Sequence, residues 1–208
     1  MQLLRPIAFL LGLATAGLAS AAPADLGTWN TAGDVVVDSA TAVRLTTAAV
    51  ESGETPLGSG SALQFYELEP ALQLAPGALP ADSFEGSGLF LRFDHGQPLQ
   101  VSFDWTLTTT GFDADYRDRG FVALGGQLIA PLGQAQATPV SGRFSLLLQP
   151  GSHALAFGVL DVNAVDGVST LSIGQFSVSA VPEPGTWALW LAGASGLLAW
   201  RRRASTRR

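Results

Sequence analysis

The residues best equipped for chemistry crowd into one stretch, Asp113-Ala114-Asp115-Tyr116-Arg117-Asp118-Arg119-Gly120. Asp113, Asp115 and Asp118 offer carboxylate oxygens at i, i+2 and i+5, and Ca²⁺ takes about six to eight oxygen ligands from flexible loops of this kind. The spacing departs from an EF-hand, and Arg117 and Arg119 stand where further acceptors would be needed. The same residues equally describe a solvated loop held by Arg–Asp pairs, so a Ca²⁺ site and an ion-paired loop both stay open. His95 and His153 are the only histidines, each beside turn residues (Asp94-His95-Gly96, and Pro150-Gly151-Ser152 before His153). That placement predicts exposed loop residues rather than bases. Cysteine is absent, which removes disulfides, thiolate ligands and thiol nucleophiles. A zinc site would need a carboxylate as third protein ligand beside both histidines. There is no His-Glu-x-x-His and no serine in a Gly-x-Ser-x-Gly context. Glu67 and Glu69 precede a predicted helical turn, where acids suit the positive end of the helix dipole; a retaining glycosidase would need its two carboxyls about 5 Å apart in a cleft. No catalytic residue is assigned, and the expectation is a protein that is not an enzyme and, outside the Ca²⁺ alternative, has no cofactor.

The elements that carry these residues read as short strands. Over Leu99 to Thr108, Leu99, Val101, Phe103, Trp105 and Leu107 alternate with polar residues, a period of two that a helix does not produce. Further strands are predicted at Leu26 to Thr31, Asp34 to Asp38, Ala42 to Thr47, Ala62 to Tyr66, Leu89 to Phe93, Phe121 to Leu124, Gln127 to Ala130, Arg143 to Gln149, Ala154 to Val162 and Thr170 to Ser179, separated by Gly, Asp, Ser and Pro. In the last of them the inward phase passes from Leu171 and Ile173 to Phe176 and Val178, which predicts a bulge near Gly174. Glu69-Pro70-Ala71-Leu72-Gln73-Leu74 reads as the one helix, with Pro70 at its start and Pro76-Gly77 stopping it. Many strands with one apolar face predict an all-β fold, an antiparallel two-sheet jelly-roll-like sandwich.

Both ends differ from this middle. Residues 1–21 have Arg5, an apolar core from Ile7 to Leu18 and Ala19-Ser20-Ala21, the pattern of a secretory signal peptide read by the translocon and signal peptidase. Residues 22–180 form the predicted ectodomain. It has five Arg, no Lys and sixteen Asp and Glu, a balance of −11 against −6 for the whole chain. That field repels phosphate backbones and excludes nucleic acid as a partner, while it suits cations, solubility and neutral polysaccharide. Residues 181–208 open with Val181-Pro182-Glu183-Pro184, continue uncharged from Gly185 to Trp200 and end on Arg201, Arg202 and Arg203. As a helix, 185–200 would rise about 24 Å, short of a hydrocarbon core of about 30 Å, with arginines able to reach the headgroups on the cytoplasmic side. This is a single transmembrane helix behind an extended, rigid Pro-Glu-Pro.

This tail resembles the PEP-CTERM sorting signal of bacterial surface proteins: Pro-Glu-Pro, hydrophobic helix and basic cluster in that order. The resemblance implies a substrate of exosortase, a membrane transpeptidase acting near Pro182-Glu183-Pro184. It also implies export across the inner membrane of a Gram-negative-type bacterium, with the cell surface or extracellular matrix as destination and the membrane as a transient anchor. A weaker resemblance over 26–180, carried by Phe84-Glu85-Gly86-Ser87-Gly88, Val101-Ser102-Phe103-Asp104-Trp105 and Phe121-Val122-Ala123-Leu124, is to the ectodomain of small PEP-CTERM surface proteins of unknown biochemical role. The functional expectation is a surface or matrix protein associated with exopolysaccharide. The alternative is a carbohydrate-binding module using exposed aromatics such as Tyr66, Phe112 or Tyr116, and a surface hydrolase stands third.

Overall fold

A computed structural model describes residues 25–162 and 167–181, with 192, 193 and 195. The predicted leader, Pro182-Glu183-Pro184, the Arg201 to Arg203 cluster and nearly all of the predicted span 185–200 lie outside the described residues. Among the described residues no helix is long and apolar enough to cross a membrane.

Eleven strands form: β1 (Asn30–Ala32), β2 (Asp34–Ser39), β3 (Ala42–Thr46), β4 (Leu63–Gln64), β5 (Glu85–His95), β6 (Leu99–Thr109), β7 (Arg119–Leu124), β8 (Gln127–Gln134), β9 (Val140–Leu148), β10 (Gly151–Leu160) and β11 (Ser169–Ala180). They make two antiparallel sheets, one ordered β1-β5-β10-β7-β8 with β4 on β5, the other β2-β3-β11-β6-β9. The all-β, two-sheet expectation therefore holds. Strand alternation builds the space between the sheets: Leu89, Leu155, Phe157 and Val159 from the first meet Val101, Phe103, Leu107, Leu171, Ile173 and Phe176 from the second. Trp29, Phe103, Phe157 and Phe176 form its aromatic centre, with Trp29 at 5.3 Å from both Phe157 and Phe176 and Phe103 at 5.4 Å from Phe157. The predicted bulge is present: the β11–β6 register shifts between Gly174 and Ser177, returning Phe176 to the core. Gly33, at φ +84°, carries the chain from the first sheet to the second, and a Cβ there would sit 2.3 Å from Ser87 Oγ.

Two local expectations are corrected. Leu26–Thr28 is a 3-10 turn capped by Asp25, whose Oδ1 accepts from Gly27 N at 2.8 Å, so the first strand begins only at Asn30. The helix α1 spans Phe65–Ala71, earlier than 69–74, so Ala62 to Tyr66 keeps only the two-residue β4 and Pro70 lies near the helix end. The tertiary reason is the outer face of the first sheet, where Leu68, Leu72, Leu74 and Leu79 cover Phe90, Phe121, Ala123, Ala156 and Leu160. Burying those leucines outweighs the backbone bond that Pro70 forgoes. Glu69, expected to favour the helix dipole, is instead buried and accepts from Gly77 N and Leu79 N at 3.0 Å each, tying down the segment after α1.

Phe157 is fully buried at the middle of the aromatic centre. Phe157→Ala is expected to lower the unfolding free energy by about 3–5 kcal/mol, read by denaturant unfolding of the purified chain. A loss below about 1 kcal/mol would show that the two sheets do not close over this ring.

Candidate functional site

The two ends of the sandwich differ in kind. At one end β3, β6 and β10 finish and β5, β7 and β11 begin, because Thr46 pairs with Thr170, Thr109 with Ser169, and Leu160 with both Gly86 and Arg119. Residues 47–62, 110–118, 161–162 and 167–168 gather there with the start of α1. Every exposed large aromatic among the described residues belongs to this loop end: Phe65, Tyr66, Phe84, Phe112 and Tyr116. Phe65 N donates to Phe84 O at 2.9 Å, and the Phe65 and Tyr66 rings meet edge to face at 5.6 Å, so these form one cluster. Phe112 and Tyr116 belong to 110–118 at the same end.

The expected calcium loop divides. Asp115 N donates to Asp113 Oδ1 at 2.8 Å, closing a local turn at the surface. Asp118 is only 1% exposed and its Oδ1 accepts from Val162 N at 3.2 Å, inside the sandwich. Among the described residues no three His, Asp or Glu side chains are grouped to hold a metal ion. The ion-paired reading is altered too. Arg119 pairs with Asp82, and Arg117 lies over the Phe112 ring at 5.6 Å while donating from Nε to Ala114 O at 3.1 Å. Arg117 thereby fixes an exposed ring, a cation–π contact of about 0.5–1 kcal/mol at the surface.

Beneath this rim lies a layer that sequence reasoning passed over. Glu85 and Asp161 extend the inward alternation of β5 and β10, and Asp118 that of β7, which puts three acids on one face of neighbouring strands, at 0%, 2% and 1% exposure. Glu85 accepts from Ser52 Oγ and Gln64 Nε2, both at 3.3 Å. Burial pushes its carboxyl up to about 7; the Ser52 hydrogen bond opposes this, and Glu54, Glu51 and Asp118 add to it. The signal was in the sequence, since Glu85 shares the parity of Leu89, Leu91 and Phe93. Asp34, also buried, accepts from Leu57 N at 2.7 Å, Gly58 N at 2.8 Å and the Thr46 hydroxyl, and so pins 47–62 over the same end.

The opposite end holds the histidines and the chain's exit. His95 closes β5 and His153 lies within β10, both half-buried and stacked at 4.9 Å, so the loop placement is corrected. Cross-strand pairing of β5 with β10 brings them together. Their rings contact Gln97 O at 2.6 Å through His95 Nδ1 and Gln149 O at 2.8 Å through His153 Nε2. Val181 N donates to Pro98 O at 2.8 Å, so the tail departs here, away from the aromatic rim.

The Glu85 carboxyl gives a pH dependence with a definite sign. Its folded value lies above the ordinary carboxylate value, so its contribution is complete below about pH 4.5 and is lost as pH rises through 7. Between pH 5 and 8 the unfolding free energy is expected to fall by about 2–3 kcal/mol through this group, and Glu85→Gln removes that part of the slope. Denaturant unfolding at both pH values, with equal slopes for the two proteins, would refute the assignment.

No curated protein sequence matches the chain. Among solved structures it is similar to the N-terminal cellulose-binding domain of Cellulomonas fimi β-1,4-glucanase C, at 12% identity and TM-score 0.37, covering 74% of this chain and 90% of that one. It is similar also to TmCBM61 in complex with β-1,4-galactotriose, at 12% identity and TM-score 0.31, covering 76% and 92%. A family 35 carbohydrate binding module from an environmental isolate follows at 8% identity and TM-score 0.26, covering 48% and 73%. At the C-terminal end the match is one of sequence: residues 180–203, beginning on the last residue of β11, carry the PEP-CTERM protein-sorting motif.

Proposed function

We propose that this chain is an exported, non-enzymatic surface or matrix protein, delivered through its C-terminal signal and associated with exopolysaccharide through its loop end. The sorting motif at 180–203 carries the reading. It implies exosortase as processing partner, acting near Pro182-Glu183-Pro184, with the leader handing the chain to the translocon and signal peptidase and the 185–200 segment holding it transiently in the inner membrane. The fold supports a display role. The tail leaves beside Pro98, and the aromatic rim lies at the other end of the sandwich. A membrane on the tail side therefore leaves the rim facing outward. Mass spectrometry of the mature C-terminus in an exosortase-competent strain is expected to find the chain ending near the Pro-Glu-Pro. An intact Trp200-Arg201 tail on exported protein would overturn the processing step.

The carbohydrate-binding reading gains from a specific observation: both tyrosines and Phe112 are exposed, at 61% for Tyr66, 49% for Tyr116 and 43% for Phe112. The Phe112 and Tyr116 rings, in the same loop as Asp113 and Asp115, suit a neutral polyhydroxylated chain, with apolar sugar faces on the rings and hydroxyls on the carboxylates. Tyr116→Ala and Phe112→Ala are each expected to weaken binding to the producing cell's polysaccharide by about fivefold or more, measured by affinity electrophoresis. Unchanged binding in the double variant would dismiss the rim as the site.

A further inference from the structure

A buried acid needs either a cation or its proton, and this domain has no cation to give Glu85. Lysine is absent, and the five arginines between 22 and 180 are engaged elsewhere. Arg44 clamps Asp38, Arg119 pairs with Asp82 and Arg143 with Asp104, Arg92 donates to Gln73 Oε1 at 2.9 Å, and Arg117 lies over Phe112. Glu85 is 0% exposed and has two neutral donors instead, Ser52 Oγ and Gln64 Nε2, each at 3.3 Å. The charges acting on it are all acidic: Glu54 and Glu51 from 47–62, and Asp118 from β7. Asp161 of β10 shares the same sheet face, and its backbone N donates to Glu85 O at 2.8 Å. Ionisation would strengthen the Ser52 bond, but loss of solvation is the larger effect and works against the charge. A charge formed here is relieved only by water.

The turn 49–54 is the weakly held part of what covers this carboxyl. Ser52 reaches it by its hydroxyl, and Glu51 and Glu54 act on it by charge, so the turn lies over it. The turn is closed on itself: Ala49 O accepts from Ser52 N and Glu54 N at 3.1 Å each, Val50 O from Gly53 N at 3.0 Å, and Glu54 Oε2 from Ala49 N at 3.0 Å. Val50 N reaches Ser61 Oγ at 2.9 Å, still within 47–62. Among the described residues, the one hydrogen bond that joins 50–54 to the body of the sandwich is Ser52 to Glu85. Both flanks are firmer. Ala48 and Ala49 are buried, Ala48 O accepts from Ala62 N at 2.8 Å, and Asp34 holds Leu57 N and Gly58 N. Gln64, the other donor, is fixed by the backbone pairing of β4 with β5.

We infer that 50–56 is a lid over Glu85, held shut by the proton on this carboxyl and shifted toward open when the proton leaves. In the open state the turn bonds of 49–54 break, water solvates the carboxylate, and Glu51 and Glu54 move away from it. Local opening of this kind leaves the core intact. The consequence for function rests on the binding reading above. An open lid puts an ionised carboxyl in water beside Gln64, the residue before the Phe65–Tyr66 pair, and so changes the charge that the rim presents.

Amide hydrogen exchange of the purified full chain in detergent micelles tests the lid without any ligand, so its result is separate from whether the rim binds sugar. Protection of Ala49 and of Ser52 to Glu54, corrected for the intrinsic pH dependence of exchange, is expected to lie below that of β6. The closed state binds the proton more tightly than the open one, so closure is favoured at acid pH and weakens as pH rises through 7. From pH 5.5 to 8.5 the protection is expected to fall about 30-fold, for a carboxyl at about 7 when closed and about 4.5 when open. Glu85→Gln, with its fold checked by circular dichroism, abolishes the fall. Glu51→Gln with Glu54→Gln, which keeps an acceptor for Ala49 N, reduces it. Protection independent of pH in the wild-type chain overturns the lid, and so does a fall of equal size in Glu85→Gln. Protection of 49–54 equal to that of β6 overturns it as well, because exchange then requires global unfolding. Should Glu85→Gln not fold, the wild-type profile still decides the lid, and an undiminished fall in the double variant overturns the part given to Glu51 and Glu54.

Discussion

The closure of two antiparallel sheets over Trp29, Phe103, Phe157 and Phe176 is the constraint on which the rest of this domain depends. With no disulfide to staple it, the ectodomain is held by packing and backbone pairing. That closure sets the phase of every strand: once Leu89 and Phe157 face inward, Glu85 and Asp161 on the same strands have no other side to face. The bulge at Gly174 to Ser177 belongs to the same constraint, because without it Phe176 would turn to solvent on the longest strand of the second sheet.

Where apolar alternation runs out, polar residues inherit the inward positions, and the loop end takes its character from this. Charge burial is unfavourable without a cation, and Glu85 meets that cost by keeping its proton to about pH 7. The loops above are held by carboxylates used as hydrogen-bond acceptors, Asp34 for 47–62 and Glu69 for the strap after α1. Acids that read as a diffuse negative field are, in several cases, buried anchors. The same rim leaves Tyr66, Phe112 and Tyr116 in water, and the chain leaves the sandwich at the opposite end.

The two outer faces are treated differently. The first sheet is roofed by α1 and the segment to Leu79, which gives the domain its second apolar cluster. The outer face of the second sheet is lined by Gln100, Ser102, Asp104, Arg143 and Ser145, joined by side-chain hydrogen bonds.

The sequence by itself determined most of the strands, because a period of two over Leu99 to Thr108 has one structural meaning, and the tail, because order and composition are its whole content. It also carried the bulge, through the change of phase after Ile173. Tertiary structure alone decided which strands neighbour which, and hence everything that depends on proximity between distant segments. The three Asp of 113–118 are adjacent in sequence but separate in space, since Asp118 lies on the inward phase of β7 while Asp113 and Asp115 remain in the loop. Glu85, Asp118 and Asp161 are far apart in sequence but come onto one sheet face, as His95 and His153 come to stack across β5 and β10. Helix α1 began earlier than local signals indicated because the roof it makes over the first sheet is a long-range gain that no short window of residues contains.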